Sequence, residues 1–332
     1  MQSLSIDKRK GLVAVLLLGF LLLAPTLAEL TGHGYLIGLF TQVVIYAIAA
    51  VSLDLIMGYG GMVSFGHAAF FGLGAYVAGI FGSHHYDGTA LLNWPVEIFA
   101  TNNGWLILLA SLLICGLLAT VIGMLSLRTS GVYFIMITLA FSQMLYFLFI
   151  SLGTYGGEDG LALIERNHFT GLDSSDEVQF YYLCLGILLI FLLFVTRLVG
   201  SRFGLLIRAC KTNEPRMRSL GFSTYRYRVL CFAIAGAGAG VAGALFSNHI
   251  EYVSPQTLHW TQSGQIMIMV ILGGLGSLLG PVLGALFLLS LEETLSMHTE
   301  HWQLWLAPFL LLVVLYSRQG LFGLLAGGKP DV

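Results

Sequence analysis

The chain reads as an all-α membrane protein, with about ten transmembrane helices, both termini cytoplasmic, glycine-broken segments and one short cytoplasmic helix. Three observations predict this. Of 332 residues, 57% are hydrophobic and only 10% are charged, against about 25% charged in a soluble domain. Basic residues collect in one place, and glycines interrupt the apolar pattern at two others. At about 20 apolar residues per crossing, the chain fills with helices and short loops. We therefore read residues 1–332 as a single transmembrane domain.

Hydropathy places crossings at Gly11–Ala28, Tyr35–Met57, Met62–Phe81, Trp105–Leu127, Val132–Leu152 and Phe180–Thr196. Four more follow at Val229–Asn248, Leu258–Leu272, Leu278–Leu295 and Trp302–Tyr316. The first follows Lys8, Arg9 and Lys10 as a signal peptide would, but it is as long as a full crossing and its end lacks an A-x-A site. It is read as a helix that stays. The stretch 258–295 is either one crossing or two, and the count of ten requires two.

Orientation follows from the Lys and Arg excess of cytoplasmic loops. Arg197, Arg202, Arg208, Lys211, Arg216, Arg218, Arg226 and Arg228 form an island, about 201–228 at its centre, that holds Glu214 as its one acid. The six crossings before it put the island on the same side as the Lys8 cluster. The loop at about 153–179 carries Glu158, Asp159, Glu165, Asp173, Asp176 and Glu177 against Arg166 alone, and falls outside. Arg318 and Lys329 bring the C-terminus back inside. Cys115, Cys184, Cys210 and Cys231 lie in or beside apolar runs without CxxC spacing, which suggests packing rather than disulfides or metal.

The glycine breaks are Gly58-Tyr-Gly-Gly61, followed by Ser64 and His67, and Gly273-Gly-Leu-Gly276, followed by Gly280-Pro281. Irregular backbone at membrane depth survives only where protein or a water-filled cavity satisfies its polar groups. A pair of breaks in opposite halves points to a substrate pathway; the plainer alternative is two short turns. Candidate pathway residues are Asp54, Gly60, Ser64, His67, Phe71, Gly273 and Gly276. Asp54 is a carboxylate within an apolar crossing, and it either faces the pathway or caps the break. Ser64, His67 and Phe71 share a face at i, i+3 and i+7 if one helix carries them. Gly236, Gly240 and Ala244, with Gly243 beside them, give the small-residue spacing that lets helices approach closely in lipid.

Inside the island, Thr212 or Asn213 offers an N-cap, Glu214 and Pro215 suit a first turn, and Gly221 suits the C′ position. A short helix over Glu214–Leu220 is expected, its apolar face made of Met217 and Leu220, with Arg216, Arg218 and Ser219 between. Such a helix either docks on a cytoplasmic partner or is held to anionic lipid. No nucleic-acid partner is expected.

Catalytic signatures are missing. The chain has no GxxxxGK[ST] phosphate loop, no HExxH and no GxSxG. His84-His85, and His298 and His301 around Glu300, are expected to be solvated rather than metal-bound. The chain is therefore expected to be no enzyme and to bind no cofactor.

Four stretches in order, Met57-Gly-Tyr-Gly-Gly-Met-Val-Ser-Phe-Gly-His-Ala-Ala-Phe-Phe-Gly-Leu-Gly-Ala-Tyr76, Leu127-Arg-Thr-Ser-Gly-Val-Tyr-Phe134, Gly156-Gly-Glu-Asp-Gly160 and Val270-Ile-Leu-Gly-Gly-Leu-Gly-Ser-Leu-Leu-Gly-Pro281, resemble the LivM-type permease of branched-chain amino-acid ABC importers. The resemblance implies an inner-membrane permease subunit of a bacterium. It also implies a LivH-like second permease, two cytoplasmic ABC ATPases that use the ATP, and a periplasmic substrate-binding protein. The segment 213–221 matches that family's coupling helix, which makes Glu214, Pro215, Arg216, Met217, Arg218, Ser219, Leu220 and Gly221 the coupling residues. Arg216 and Met217 stand where the family usually has two alanines. Relatives also move urea or short amides. A stand-alone secondary transporter is the further alternative, although Asp54 is the one clear mid-run acid before Glu292 and Glu293.

Overall fold

The structure, a computed structural model, describes residues 2–30, 32, 34–92, 98–299, 301, 304–308, 310–311 and 320–326. Its helices are α1 (Gln2–Leu30), α2 (Tyr35–Asp54), α3 (His67–Tyr86), α4 (Gly104–Ser126), α5 (Val132–Ser151) and α6 (Glu177–Gly200). They continue with α7 (Arg202–Thr212), α8 (Glu214–Ser219), α9 (Thr224–Ile250), α10 (Trp260–Gly273), α11 (Gly280–Ser296) and α12 (Gly320–Ala326). One π turn, Leu55–Tyr59, prolongs α2. Among the described residues six helical stretches are long and apolar enough to cross a membrane: 11–30, 35–59, 104–126, 132–151, 177–200 and 224–250.

Every residue from Val43 to Ile56 is buried, so α2 is the centre of the molecule. A helix that is apolar all round belongs in such a place. It packs against α9, α11, α6, α10 and α1. The outer helices expose their leucines instead, as Leu109, Leu113 and Leu117 do along α4. That pattern, i, i+4, i+8, is a face meant for lipid rather than water.

The small-residue face of α9 works as expected. It lies against α3 and α4, where a methyl group on Gly240 would sit 2.5 Å from Cys115 Cβ and one on Gly236 would meet Ala119 and Phe70. At Gly243 it would strike the Phe71 carbonyl.

Two expectations are adjusted. The crossing expected over Met62–Phe81 begins later, at His67, and runs on to Tyr86. Residues 61–66 are not helical, because Gly61 at φ 67° turns the chain out of the helical region. The stretch 258–295 divides into α10, of 14 residues, and α11, of 17. At 1.5 Å per residue these span about 21 and 26 Å, short of a hydrocarbon core of about 30 Å. Most of the predicted crossing Trp302–Tyr316 lies outside the described residues, as do Arg318, Lys329 and Glu300.

The acidic loop is folded. Its strand β1 (Leu161–Ala162) pairs antiparallel with β2 (Tyr252–Val253), just beyond α9, and Arg166 Nε bonds Glu251 Oε1 at 2.8 Å. The Arg166 guanidinium also lies 5.3 Å over the Phe180 ring at the start of α6. The acidic loop and the basic island therefore sit at opposite ends of α6 and α9. With 24 and 27 residues, these helices hold the two regions about 36 to 40 Å apart.

Packing this tight gives a test. Gly240→Leu overpacks the α4 contact and is expected to destabilise the fold by about 1 to 3 kcal/mol or more. At Gly19 a Cβ meets nothing within 4 Å, so Gly19→Leu is expected to leave thermal stability in detergent unchanged.

Candidate functional site

Local chemistry builds the island into a compact unit. Asn213 caps α8 by accepting from Arg216 N at 3.0 Å, and Pro215 occupies the first turn, where a missing N–H costs nothing. At the other end Phe222 N bonds Met217 O at 3.2 Å and Gly221 N bonds Arg218 O at 3.0 Å. With Gly221 at φ 86°, this is a Schellman motif, which a residue bearing Cβ closes poorly. Ser219 Oγ donates to Arg216 O at 2.9 Å.

Glu214 fastens this unit to α9. Its Oε1 accepts from Arg218 Nη2 at 2.6 Å and from Thr224 Oγ1 at 3.1 Å, and its Oε2 lies 2.7 Å from Arg228 Nη1. Burial pushes the Glu214 carboxyl up, but the Arg218 hydrogen bond, the Arg228 charge and the Thr224 hydroxyl outweigh it and hold it below its ordinary range. A depressed carboxyl stabilises fully above its unfolded pKa, about 4.3, and loses that contribution only as pH falls through the lower folded value. The clamp is therefore intact at neutral pH.

Met217 is buried, whereas Leu220 is 63% and Phe222 41% exposed. The apolar face expected from Met217 and Leu220 is thus corrected: Met217 packs into the chain's own fold, and Leu220 and Phe222 face out beside Arg216 and Arg218.

The two glycine breaks meet. Asp54, 2% exposed at the end of α2, accepts the Gly276 N–H on Oδ1 at 2.8 Å. Gly58 is what permits this, because a Cβ there would lie on the Asp54 carboxylate and the Gly276 nitrogen. From the island, Lys211 Nζ donates to Gly58 O at 2.7 Å, and its stem covers Gly61. Gly60 ends the π turn with Ile56 O 2.6 Å from where its Cβ would stand. Gly273 closes α10 against the backbone of Gly280.

Ser64 lies before α3 and does not share a helix face with His67 and Phe71; its Oγ accepts from Gly66 N at 3.2 Å. His67 is fully buried, with Nε2 2.7 Å from Ser52 Oγ. Since the Ser52 hydroxyl donates to Ala49 O, the hydrogen-bond network assigns the proton to His67 Nε2. Nδ1 has no partner. Phe71 is fully buried too, stacked 5.6 Å from the Tyr46 ring. In the first turn of α3 the Ala68 N–H donates to Ser263 Oγ of α10 at 2.8 Å. Among the described residues no three His, Cys, Asp or Glu side chains are placed to hold a metal ion.

Long apolar helices around a buried central one, with most of the charge gathered at the two ends, define a multi-pass membrane protein. Residues 35–316 match the family described as branched-chain amino acid transport system / permease component, and the chain belongs to it. It is 29% identical to the high-affinity branched-chain amino acid transport system permease protein LivM of Escherichia coli K12, over 85% of this chain and 68% of that one. The Salmonella typhimurium LivM is 28% identical with the same coverage. The E. coli permease protein LivH is 31% identical over 40% of this chain and 42% of its own. No solved structure matches the chain.

The clamp is testable. The Arg228 side chain is 17% exposed and that of Arg218 is 66% exposed, so screening by water weakens the second pair more. Arg228→Ala is expected to speed amide exchange over 213–222 more than Arg218→Ala does. Asn213→Ala is expected to cost the segment about 1 kcal/mol, read by the same exchange.

Proposed function

We propose that this chain is the LivM-type permease subunit of an ABC importer that brings branched-chain amino acids into the bacterial cytoplasm. Membership of the permease family and the likeness to LivM support the solute class. The partial likeness to LivH supports a second, related permease as its partner in the membrane. Two ABC ATPases supply the energy from ATP, and a periplasmic binding protein delivers the solute. In this reading the chain binds no cofactor itself.

About ten crossings complete the topology: the six long stretches, α3, the shorter α10 and α11, and the segment Trp302–Tyr316. The basic island and both termini then face the cytoplasm, and the stapled acidic loop faces the periplasm, in accord with the positive-inside rule.

One observation carries the mechanism, the hydrogen bond from Lys211 to the Gly58 carbonyl. The island is the surface an ATPase meets, through Arg216, Arg218, Leu220 and Phe222. Movement of α8 passes to α9 through Glu214 and Arg228, and to α7 through their shared cap at Asn213. Lys211 on α7 then pulls on the first glycine break, and Asp54 joins that break to the second. A partner shifts such an equilibrium only through contacts that differ between its two states. The Lys211 bond is the contact placed to differ.

Arg216→Ala, Arg218→Ala and Leu220→Ala together are expected to abolish leucine uptake by the reconstituted complex while ATP hydrolysis continues and the permease still elutes as a folded species. Normal uptake by the triple variant would exclude this surface as the coupling site. Lys211→Met is expected to reduce uptake about tenfold or more, the loss of one hydrogen bond from a charged group, without removing the ATPase from the complex.

A further inference from the structure

A second polar assembly lies apart from the breaks and the island. The Tyr46 hydroxyl, in the middle of α2, accepts from Gln262 Nε2 at 2.7 Å. One turn further along α10, Gln265 Nε2 donates to Glu292 Oε2 of α11 at 3.3 Å. Tyr46 precedes Asp54 by eight residues, about 12 Å along the helix, so the assembly lies at membrane depth on the side of the Asp54–Gly276 bond away from the island. Gln262, Gln265 and Glu292 are all half-buried.

Two features set this assembly apart from an internal polar knot. It is not sealed: Gln262, Gln265 and Glu292 each keep part of their surface uncovered, and a Cβ on Gly264, the residue before Gln265, meets nothing within 4 Å. And Glu292 has no cation among the described residues. The ion pairs of the described residues engage Arg166, Arg218 and Arg228 with Glu251 and Glu214 alone, and one long hydrogen bond leaves most of the acceptor capacity of a carboxylate unused. A carboxylate at membrane depth faces a partner, a bundle interior or a water-filled cavity rather than acyl chains. Here the described residues supply one neutral carboxamide, that of Gln265.

We infer that Glu292, held by Gln265 beside Gln262 and Tyr46, is a station on the solute path that takes the ammonium group of a free amino acid. The inference rests on the importer reading and deepens it, giving the solute a site within this chain. A compact ammonium offers three donors and the charge that Glu292 lacks. The ammonium of a phosphatidylethanolamine headgroup has the same chemistry, and the test separates the two sources.

Gly264→Cys places a thiol beside the assembly without touching it, and all four native cysteines are buried, so labelling is specific. The variant is reconstituted with its partner subunits in phosphatidylglycerol vesicles, with and without phosphatidylethanolamine, and treated with a membrane-impermeant thiol reagent. Labelling is expected in both vesicles and is expected to be slowed by free L-leucine. Adding Glu292→Gln is expected to raise the half-protecting leucine concentration roughly 10- to 100-fold, the loss of one charged hydrogen bond, and Glu292→Asp to restore most of it. A thiol that never reacts shows a lipid-facing strip and overturns the inference. So does protection by leucine that Glu292→Gln leaves unchanged, and so does protection by phosphatidylethanolamine alone, which assigns the site to a headgroup. Protection does not require transport, so failure of uptake in the intact complex is read separately, as failure of the importer reading.

Discussion

A carboxylate that lipid cannot solvate governs the centre of this molecule. Asp54 ends the most buried helix and is itself 2% exposed; at a helix centre such a group costs roughly 2.5 to 3.5 kcal/mol on insertion scales. The structure answers with one backbone N–H, that of Gly276, at 2.8 Å. Much else follows from that bond. Position 58 must lack a side chain, the chain leaves the helix through a π turn, and α10 must end where its successor loop reaches back to α2. Single π turns are frequent at functional sites, and this one lies where the two halves of the chain join.

Most of the remaining charge sits at the two ends of the bundle, and each end is held differently. Around the acidic loop, Arg166 ties Glu251 and covers Phe180, while a short strand pair fixes the backbone. In the basic island the roles reverse, and one acid, Glu214, neutralises Arg218 and Arg228. That leaves the side chains of Arg216, Leu220 and Phe222 outward, a mixed cationic and apolar surface suited to a protein partner. Lys211, on α7, is the member of the island that reaches the breaks, through its bond to the Gly58 carbonyl.

Much of this was legible in the sequence. Apolar runs located α4, α5 and α9 to within a few residues, because in lipid both length and composition of a crossing are constrained. Asn213, Pro215 and Gly221 located α8, since caps are local chemistry. Helix α3 was misplaced because Met62 and Val63 are apolar but not helical; hydropathy reports burial, not backbone conformation. Met217 was misjudged for a related reason: spacing puts it and Leu220 near one another but does not say which faces the chain's own core. The contacts that matter most join distant residues. Lys211 and Gly58 lie 153 positions apart, Asp54 and Gly276 222, and Tyr46 and Gln262 216. No local pattern announces such pairs, although the recurrence of glycine in both halves did mark the two segments that meet.

The role of Asp54 is open to a direct measurement, leucine uptake and thermal stability of the reconstituted complex carrying Asp54→Asn or Asp54→Leu. Asparagine keeps an oxygen to accept the Gly276 N–H; leucine has nearly the same shape and accepts nothing. If the acceptor holds the two breaks together, the asparagine variant folds and transports close to the wild type and the leucine variant loses both. A leucine variant as stable and as active as the wild type would contradict it.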